Sequence, residues 1–590
     1  MRRQSVRLAS ECERMGKRTF DHATLAFVTA YLLVLAYLFS FYGGQLPLVF
    51  FWAPMLAAIS LVAWQCTMVE SDKWRTGLVL SEVLAIGFLA HMLFVIPTQA
   101  GVIGRDVFAD LNAAEFDMQF GWPLPASLSI TGITRTVSEW PLIHFLGIAA
   151  SRLLGTNLFS VSNPNNIMRW FPSVISMGAS LFWYSIAKRI YGRNDVSLLA
   201  SLGSTMVFYN LMFHSWFVRE TLGYVLLFAF LLAFVIASTE ASLNLRMKIL
   251  AILLLIALLF SHHLSFVFAL LFLVLVYFLP RLVNRMRTDV PPSLGRHRWE
   301  GEMPAGVLLV LGGTMFVAYL IYVGEPIFGL VVDSLQALFE PSVTIVVRSS
   351  GTLVSRDRIL LTARVALGLV FAILLVRKIL QKRKTLVWDA VGLAWGSITA
   401  LAVVVTYVVA NVVNAGILRL EGFGWPFVLM PASEVTVERR RRLSGVVLIT
   451  VFVMLNILVI PPYIYDSSAH PDYQVGETSI RYSRALFEAA TWFTGNGTIV
   501  GDVSTFELFG DFGQRPVVTD FHIFEGNLTS VTNYQWIVLR QENVNVVVSL
   551  SGSKVINKIS PSVWSLMNST NALSRVYDNG DVEIFEVTQH

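Results

Sequence analysis

The sequence predicts a mostly α-helical, polytopic membrane protein that ends in a small α/β domain. Of its 590 residues, 55% are hydrophobic and only 14% are charged, against roughly 25% charge in soluble domains. Apolar runs of about 20 residues, the length of a spanning helix, recur as far as Tyr465. Beyond Tyr465 the chain turns polar, and short β-branched runs alternate with helical stretches.

The apolar runs predict about thirteen membrane spans, at residues 23–43, 47–67, 77–96, 165–187, 195–215, 219–238, 247–261, 264–280, 304–323, 358–377, 386–414, 417–433 and 443–463. If residues 1–22 are cytoplasmic, every strongly basic loop falls on the cytoplasmic side, as the positive-inside rule requires. We therefore expect a multi-pass protein of the cell membrane. In this topology the domain of residues 23–465 carries an exterior acidic loop at 97–163, and residues 466–590 form an exterior soluble domain.

The charge and the cysteines exclude other classes. The net charge of +5 comes from basic loops between spans, so it reports orientation and not a nucleic-acid partner. Cys12 and Cys66 are too few for a disulfide framework or a cysteine metal site.

The C-terminal domain is predicted from alternating patterns. "GTIVGDV", "RPVVTD" and "NVVVSL" are typical of short strands, and "NLTSVTNYQWIVLRQENV" has a helical pattern. "RVYDNGDVEIFEV" predicts a closing hairpin that turns on Asp578, Asn579 and Gly580.

Unusual ionisable residues gather at the exterior side of the predicted topology. Charges inside or at the ends of spans are costly and usually functional. The exterior group mixes acids, arginines and histidines, whereas the cytoplasmic charges form simple basic runs. Its members are Asp106, Asp110, Glu115, Asp117, Arg169, Arg219, Glu220, His262, His263, Arg348, Arg356, Arg358, Arg419 and Glu421.

The stretch "RDVFADLNAAEFD" places three acids on one side of a helix. At 100° per residue, Asp106, Asp110 and Asp117 fall within about 40° of one another, and Glu115 points to the opposite side. Such a face needs compensation by water, a metal or a substrate proton, unless it belongs to a solvated loop helix. The following "SEWPLIHFLGIAASRLLG" is amphipathic and predicts a helix along the membrane interface.

This set of residues suits sugar transfer from a lipid phosphate. The reaction needs a carboxylate to take a proton from the acceptor hydroxyl and cations to stabilise the departing phosphate. The planar guanidinium of arginine matches phosphate oxygens. The alternatives are arginines that snorkel to lipid headgroups, foremost Arg356 and Arg358, and a pair His262–His263 that caps a short turn.

The architecture, together with "GRDVFADLNAAE", "FVRET", "SHHLS" and "RLEGFGWPF", resembles the GT-C superfamily of integral-membrane glycosyltransferases. The resemblance implies that Asp106 is the catalytic base or a metal ligand, with Asp110 second. GT-C enzymes usually place the acidic loop after their first span, whereas here two spans precede the equivalent one, so that three predicted spans come before the loop. The Trp-Trp-Asp-x-Gly motif of oligosaccharyltransferases is absent, which disfavours transfer onto protein sequons.

We therefore predict a membrane glycosyltransferase of cell-envelope glycosylation. Its donor would be a polyprenyl- or dolichyl-phosphate sugar, its acceptor a glycan, lipid or protein, and membrane lipids its surroundings. Asp106 and Asp110 are the predicted catalytic residues, and Asp106, Asp110 and Asp117 would bind any divalent metal, Mg²⁺ or Mn²⁺. The predicted residues for the donor phosphate or substrate are Arg419, Arg169, Arg219, Glu220, His262, His263 and Arg348. The alternatives are a transporter or flippase of lipid-linked glycans, an oligosaccharyltransferase-like enzyme, or a scaffold for the exterior domain.

Overall fold

The computed structural model describes residues 2–40, 49–69, 72–95, 105–122, 138–155, 167–239, 244–286, 305–323, 415–437 and 442–458, short pieces between 363 and 398, and, with gaps, 474–588. Its main helices before the C-terminal domain are α1 Arg2–Ser40, α2 Val49–Met68, α3 Lys73–Val95, α4 Arg105–Phe120, α5 Leu142–Leu154, α6 Ile167–Tyr191, α7 Asn194–Thr205, α8 Phe208–Phe213, α9 Arg219–Thr239, α10 Asn244–Ser261, α11 His263–Met286, α12 Ala305–Tyr322, α13 Ala415–Thr436 and α14 Arg442–Leu458.

The helical, multi-pass fold class is confirmed. Five described helices are long and apolar enough to cross a membrane, over Arg18–Leu38, Phe50–Met68, Lys73–Met92, Arg219–Ser238 and Ala305–Tyr322. Each coincides with a span predicted from the sequence. The total of thirteen spans, the domain boundaries and the sidedness stay predictions.

The predicted span at 195–215 is wrong as a single helix, because the chain breaks between α7 and α8. The hydroxyl groups of Ser204 and Thr205 donate to the carbonyl oxygen of Ser201, at 3.0 and 2.7 Å. The side chain of Asn210 donates to the carbonyl oxygen of Ser204 at 3.5 Å. Side chains that bond to nearby backbone compete with the helical ladder, and apolar content alone does not reveal this.

The predicted pair around "SHHLS" is confirmed as two helices, α10 and α11, which are separated at His262. Their turn packs closely on α9 at Gly223. A Cβ atom at that glycine would lie 2.7 Å from both the Cβ of His262 and the Oγ of Ser265. The absence of a side chain therefore lets the start of α9 lie directly against the α10–α11 turn.

The C-terminal domain contains a five-stranded mixed sheet. Its strands are β3 Ile499–Val500, β4 Val517–Val518, β5 Trp536–Arg540, β8 Leu573–Asp578 and β9 Val582–Val587, in the order β4-β3-β5-β9-β8. Strand β3 is parallel to both β4 and β5, while β9 is antiparallel to β5 and β8. Two small antiparallel pairs complete the strands of the described part, β1 Gln474–Val475 with β2 Thr478–Ser479 and β6 Val547–Val548 with β7 Val555–Ile556.

The predicted closing hairpin is confirmed. Gly580 adopts a φ of 87°, and its N–H donates to Asp578 Oδ1 at 2.8 Å. The helical interpretation of "NLTSVTNYQWIVLRQENV" is wrong over its centre. A 3-10 helix, Leu528–Asn533, is followed by the strand β5, whose apolar run Ile537, Val538 and Leu539 is buried on both faces of the sheet.

Candidate functional site

The acidic stretch forms the predicted helix, α4, and two of its aspartates, Asp110 and Asp117, lie on a common face. Asp110 and Asp117 are both buried, whereas Glu115 is half-buried on the other side. The predicted grouping is thus confirmed for these two aspartates. Asp106 lies one turn before Asp110, at the beginning of α4, and the structure describes its backbone alone.

The imidazole of His144, from α5, lies between the two aspartates. Its Nε2 is 3.0 Å from Asp110 Oδ1 and its Nδ1 is 2.8 Å from Asp117 Oδ2. All three side chains are fully buried. A ring that faces a carboxylate at each nitrogen donates from both nitrogens only as the imidazolium, so the geometry favours the protonated histidine.

The direction of the His144 pKa agrees with that protonation state. Burial lowers the pKa of His144, but the hydrogen bonds and charges of Asp110 and Asp117 outweigh it, so the pKa lies above the ordinary value of 6.5. Burial raises the pKa of Asp117 above its ordinary value, although the contact with His144 opposes the rise. The histidine is therefore held as a cation between its partners.

Arg219, the first residue of α9, completes the cluster. Its Nη1 atom lies 3.3 Å from Asp110 Oδ2 and 3.4 Å from Oδ1, and its backbone N–H donates to Oδ2 at 3.4 Å. Asp110 thus receives hydrogen bonds from the histidine, the guanidinium and the positive end of a helix. With His144 protonated, the carboxylates of Asp110 and Asp117 face two cations, the imidazolium and the guanidinium of Arg219. The charges of the buried cluster are then balanced. We call Asp110, Asp117, His144 and Arg219 the acid–base cluster.

A second layer connects the cluster to the "SHHLS" turn. The hydroxyl of Ser261 donates to the carbonyl oxygen of Arg219 at 3.5 Å. The ring of His263 packs on Trp140, with 4.7 Å between ring centroids, and Trp140 directly precedes the turn into α5. The structure therefore brings "FVRET", "SHHLS" and the acidic helix to one place.

His262 fits the capping role that the sequence left as an alternative. Its Nδ1 lies 2.9 Å from the hydroxyl of Ser265 and accepts from the Ser265 N–H at 3.3 Å, so it caps the first turn of α11. Glu220, another predicted substrate-binding residue, is buried at the start of α9.

The remaining predicted residues are not placed beside the cluster. Arg348 lies outside the described residues, and Arg169 and Arg419 stand in α6 and α13 with only their backbone described. Their roles stay predictions.

Sequence reasoning missed His144. It expected water, a metal or a substrate proton to compensate the acidic face, whereas the structure places His144 and Arg219 there. The available signal was a histidine in "SEWPLIHFLG", a segment expected to run beside the acidic helix. Sequence spacing alone could not pair it with residues 27 and 34 positions away.

Asp110 and Asp117 do not suit a shared divalent metal. The oxygens that they turn toward each other already contact opposite nitrogens of His144, so a cation between them would have to displace the ring. In the part of the chain that the structure describes, no group of three or more His, Cys, Asp or Glu residues is arranged to hold a metal ion.

Three solved structures are similar to this chain at low sequence identity. An arabinofuranosyltransferase, AftD, from Mycobacteria aligns with 87% of this chain and 40% of its own length, at 13% identity and a TM-score of 0.48. The oligosaccharyltransferase of Archaeoglobus fulgidus aligns with 80% of this chain and 70% of its own, at 12% identity and a TM-score of 0.46. ArnT from Cupriavidus metallidurans, solved with undecaprenyl phosphate, aligns with 86% of this chain and 98% of its own, at 10% identity and a TM-score of 0.37.

The three identities lie between 10% and 13%, and the three TM-scores lie below 0.5. The chain spans 40% of the length of the mycobacterial enzyme. The archaeal oligosaccharyltransferase has also been crystallised with Zn and sulfate. No protein-family model matches the chain, and no curated protein matches it in sequence.

Proposed function

We propose that this chain is a membrane glycosyltransferase that moves a sugar from a polyprenyl-phosphate donor to a glycan, lipid or protein acceptor on the exterior face. The observation that carries the proposal is the acid–base cluster. It ties the acidic helix α4 to the interfacial helix α5 and to the beginning of α9. A carboxylate-bearing helix held rigidly at a membrane face is what general-base transfer to a lipid-borne donor requires.

Asp106 is the proposed base, and the cluster positions it. Asp110 accepts hydrogen bonds from His144 and Arg219 and is fully buried, so its oxygens have little capacity left for an acceptor hydroxyl. Asp106 lies one helical turn away, on the same side of α4. Asp110 therefore acts as a positioning residue, which holds α4 and the carboxylate of Asp106 in place.

The reaction balances with these residues. The acceptor hydroxyl oxygen forms a bond to the anomeric carbon of the sugar while its proton passes to the carboxylate of Asp106. The bond from that carbon to the phosphate oxygen breaks, and the electron pair leaves with the polyprenyl phosphate. Arginine suits the charge that develops on this phosphate. Arg419 is the first candidate, and Arg169, Arg219 and Arg348 follow.

Release of polyprenyl phosphate tests this function. Purified protein in detergent is incubated with labelled polyprenyl-phosphate sugars and a panel of acceptors, and the freed lipid phosphate is measured. Asp106→Asn keeps the size of the side chain but removes its basicity, so we expect a loss of roughly 10²- to 10⁴-fold in rate. Glu115→Gln is the matched control, because it lies on the same helix but on the opposite side.

Two results would oppose the proposal. Wild-type turnover in a folded Asp106→Asn protein would remove the base assignment. Translocation of the lipid-linked sugar across a vesicle membrane with no release of polyprenyl phosphate would favour the flippase instead.

A further inference from the structure

A carboxyl group lies inside the membrane-spanning part of α3, at Glu82. It falls near the middle of the candidate span Lys73–Met92, and only 4% of its surface is exposed. Polar groups at such depth are costly and usually have a specific role. The candidate site does not use Glu82.

Gln65 links Glu82 on α3 to Thr24 on α1, so that α1, α2 and α3 meet at one polar junction. The Nε2 of Gln65, on α2, donates to the hydroxyl of Thr24 on α1 at 2.9 Å and to Glu82 Oε1 at 3.4 Å. Gln65 is fully buried. Two other oxygens of this junction, Gln65 Oε1 and Glu82 Oε2, are buried without a hydrogen-bond partner in the described part of the chain. Apart from the hydroxyl of Thr24, which also hydrogen-bonds to Glu82, the described part of the junction offers no further side-chain donor to these two oxygens.

Among the residues that the structure describes, the charged groups around the junction do not supply a further donor. Arg75, on α3, lies on the ring of Phe20 at 5.0 Å and pairs with Asp72 at 3.5 Å. Asp195, on α7, is an acid and pairs with Arg193 at 2.8 Å. The ionisable side chains at the start of α1 are exposed, namely Arg18, Asp21 and His22.

A metal cation also suits the junction poorly. Hard cations such as Mg²⁺ and Ca²⁺ take about six or more oxygen ligands, and the junction offers side-chain oxygens from three residues only. An ionised carboxylate without a cation would be strongly disfavoured in hydrocarbon surroundings. A proton is the smallest donor that resolves the shortage.

We propose that the α1–α2–α3 junction is an intramembrane proton-binding site in which Glu82 stands as a neutral carboxylic acid. The acid donates to Gln65 Oε1 while the Gln65 amide donates back to Glu82 Oε1, so that the two groups form a paired, two-way contact. Every polar atom named above then has a partner. Protonation thereby fastens α1 and α2, the two helices that precede α3 and the acidic loop, to the rest of the bundle.

Infrared difference spectroscopy tests the protonation directly. The full-length protein is reconstituted in lipid at neutral pH, and the spectrum of Glu82→Gln is subtracted from that of the wild type. We expect a carbonyl band of a protonated carboxylic acid that shifts on exchange into D₂O. Asp72→Asn, which changes an exposed acid at the start of α3, is the control and should show carboxylate bands. Carboxylate bands in the Glu82→Gln difference would overturn the proposal.

Thermal unfolding gives a second, independent readout. Gln at position 82 reproduces the hydrogen bonds of a neutral acid, so Glu82→Gln should unfold at the wild-type temperature near neutral pH. At alkaline pH the wild type should fall below Glu82→Gln, because ionisation removes the donor. A wild-type midpoint that rises with sodium but not with choline chloride, an effect lost in Glu82→Gln, would identify a cation instead and refute the proton.

Discussion

Removal of His144 should destabilise the protein through the two carboxylates that it leaves behind. His144→Ala deletes two hydrogen bonds to buried acids, at 3.0 and 2.8 Å. Hydrogen bonds to charged groups contribute about 1.5–3 kcal/mol each, and breaking a buried ion pair costs about 3–5 kcal/mol. The carboxylate of Asp110 still has the guanidinium of Arg219 at 3.3 Å. The carboxylate of Asp117 loses the one hydrogen-bond partner that the described residues give it. We therefore expect a loss of about 3–5 kcal/mol in the free energy of unfolding.

A second substitution separates charge from packing. In His144→Ala the cluster holds two carboxylates and one cation. Adding Asp117→Asn removes one carboxylate, so that one carboxylate, Asp110, again faces one cation, Arg219. The double variant should recover about 1–3 kcal/mol of the loss, the size of coupling found between residues in contact. Phe145→Ala, at an exposed position beside His144 on α5, should cost only about 0.5 kcal/mol.

The assay can use the chain's own cysteines. In a Cys12→Ser background the single thiol is Cys66, which is fully buried, so its reaction with a fluorescent maleimide reports unfolding during SDS titration in mixed micelles. Additive losses in the double variant, with no recovery, would refute the charge-balance argument and leave His144 as a packing residue.

Four further outcomes are expected. Because the folded pKa of His144 is raised, its stabilisation is complete below about pH 6.5 and is lost as pH rises through the folded pKa; SDS titration across pH should show this slope in the wild type and not in His144→Ala. Arg419→Lys should fold normally but bind polyprenyl-phosphate sugar more weakly in a direct binding assay, because lysine lacks the planar fork; unchanged affinity would move the assignment to Arg169 or Arg219. A cysteine at position 511 should react with an impermeant maleimide on intact cells while one at position 295 should not, and the reverse pattern would invert the topology. Arg540→Leu should destabilise the C-terminal domain by about 3–5 kcal/mol, since Arg540 pairs with the buried Asp502; unchanged proteolytic resistance of the domain would contradict this.

The sequence alone determined the class of the protein and the shape of the acidic helix. Apolar runs of spanning length and helical periodicity are local properties, so they predicted the helices, the face shared by Asp110 and Asp117, and the hairpin at Gly580. These features depend on neighbours within a few residues along the chain.

Only the tertiary structure decided what the acidic face meets. His144 and Arg219 reach Asp110 from 34 and 109 residues away, and Gln65 reaches Thr24 from 41. No local pattern encodes such pairings, because they depend on which helices pack together and at what depth. A buried charge must be balanced where it lies. The tertiary structure brings His144 and Arg219 to the buried aspartates, whereas the sequence shows these residues only as separate positions.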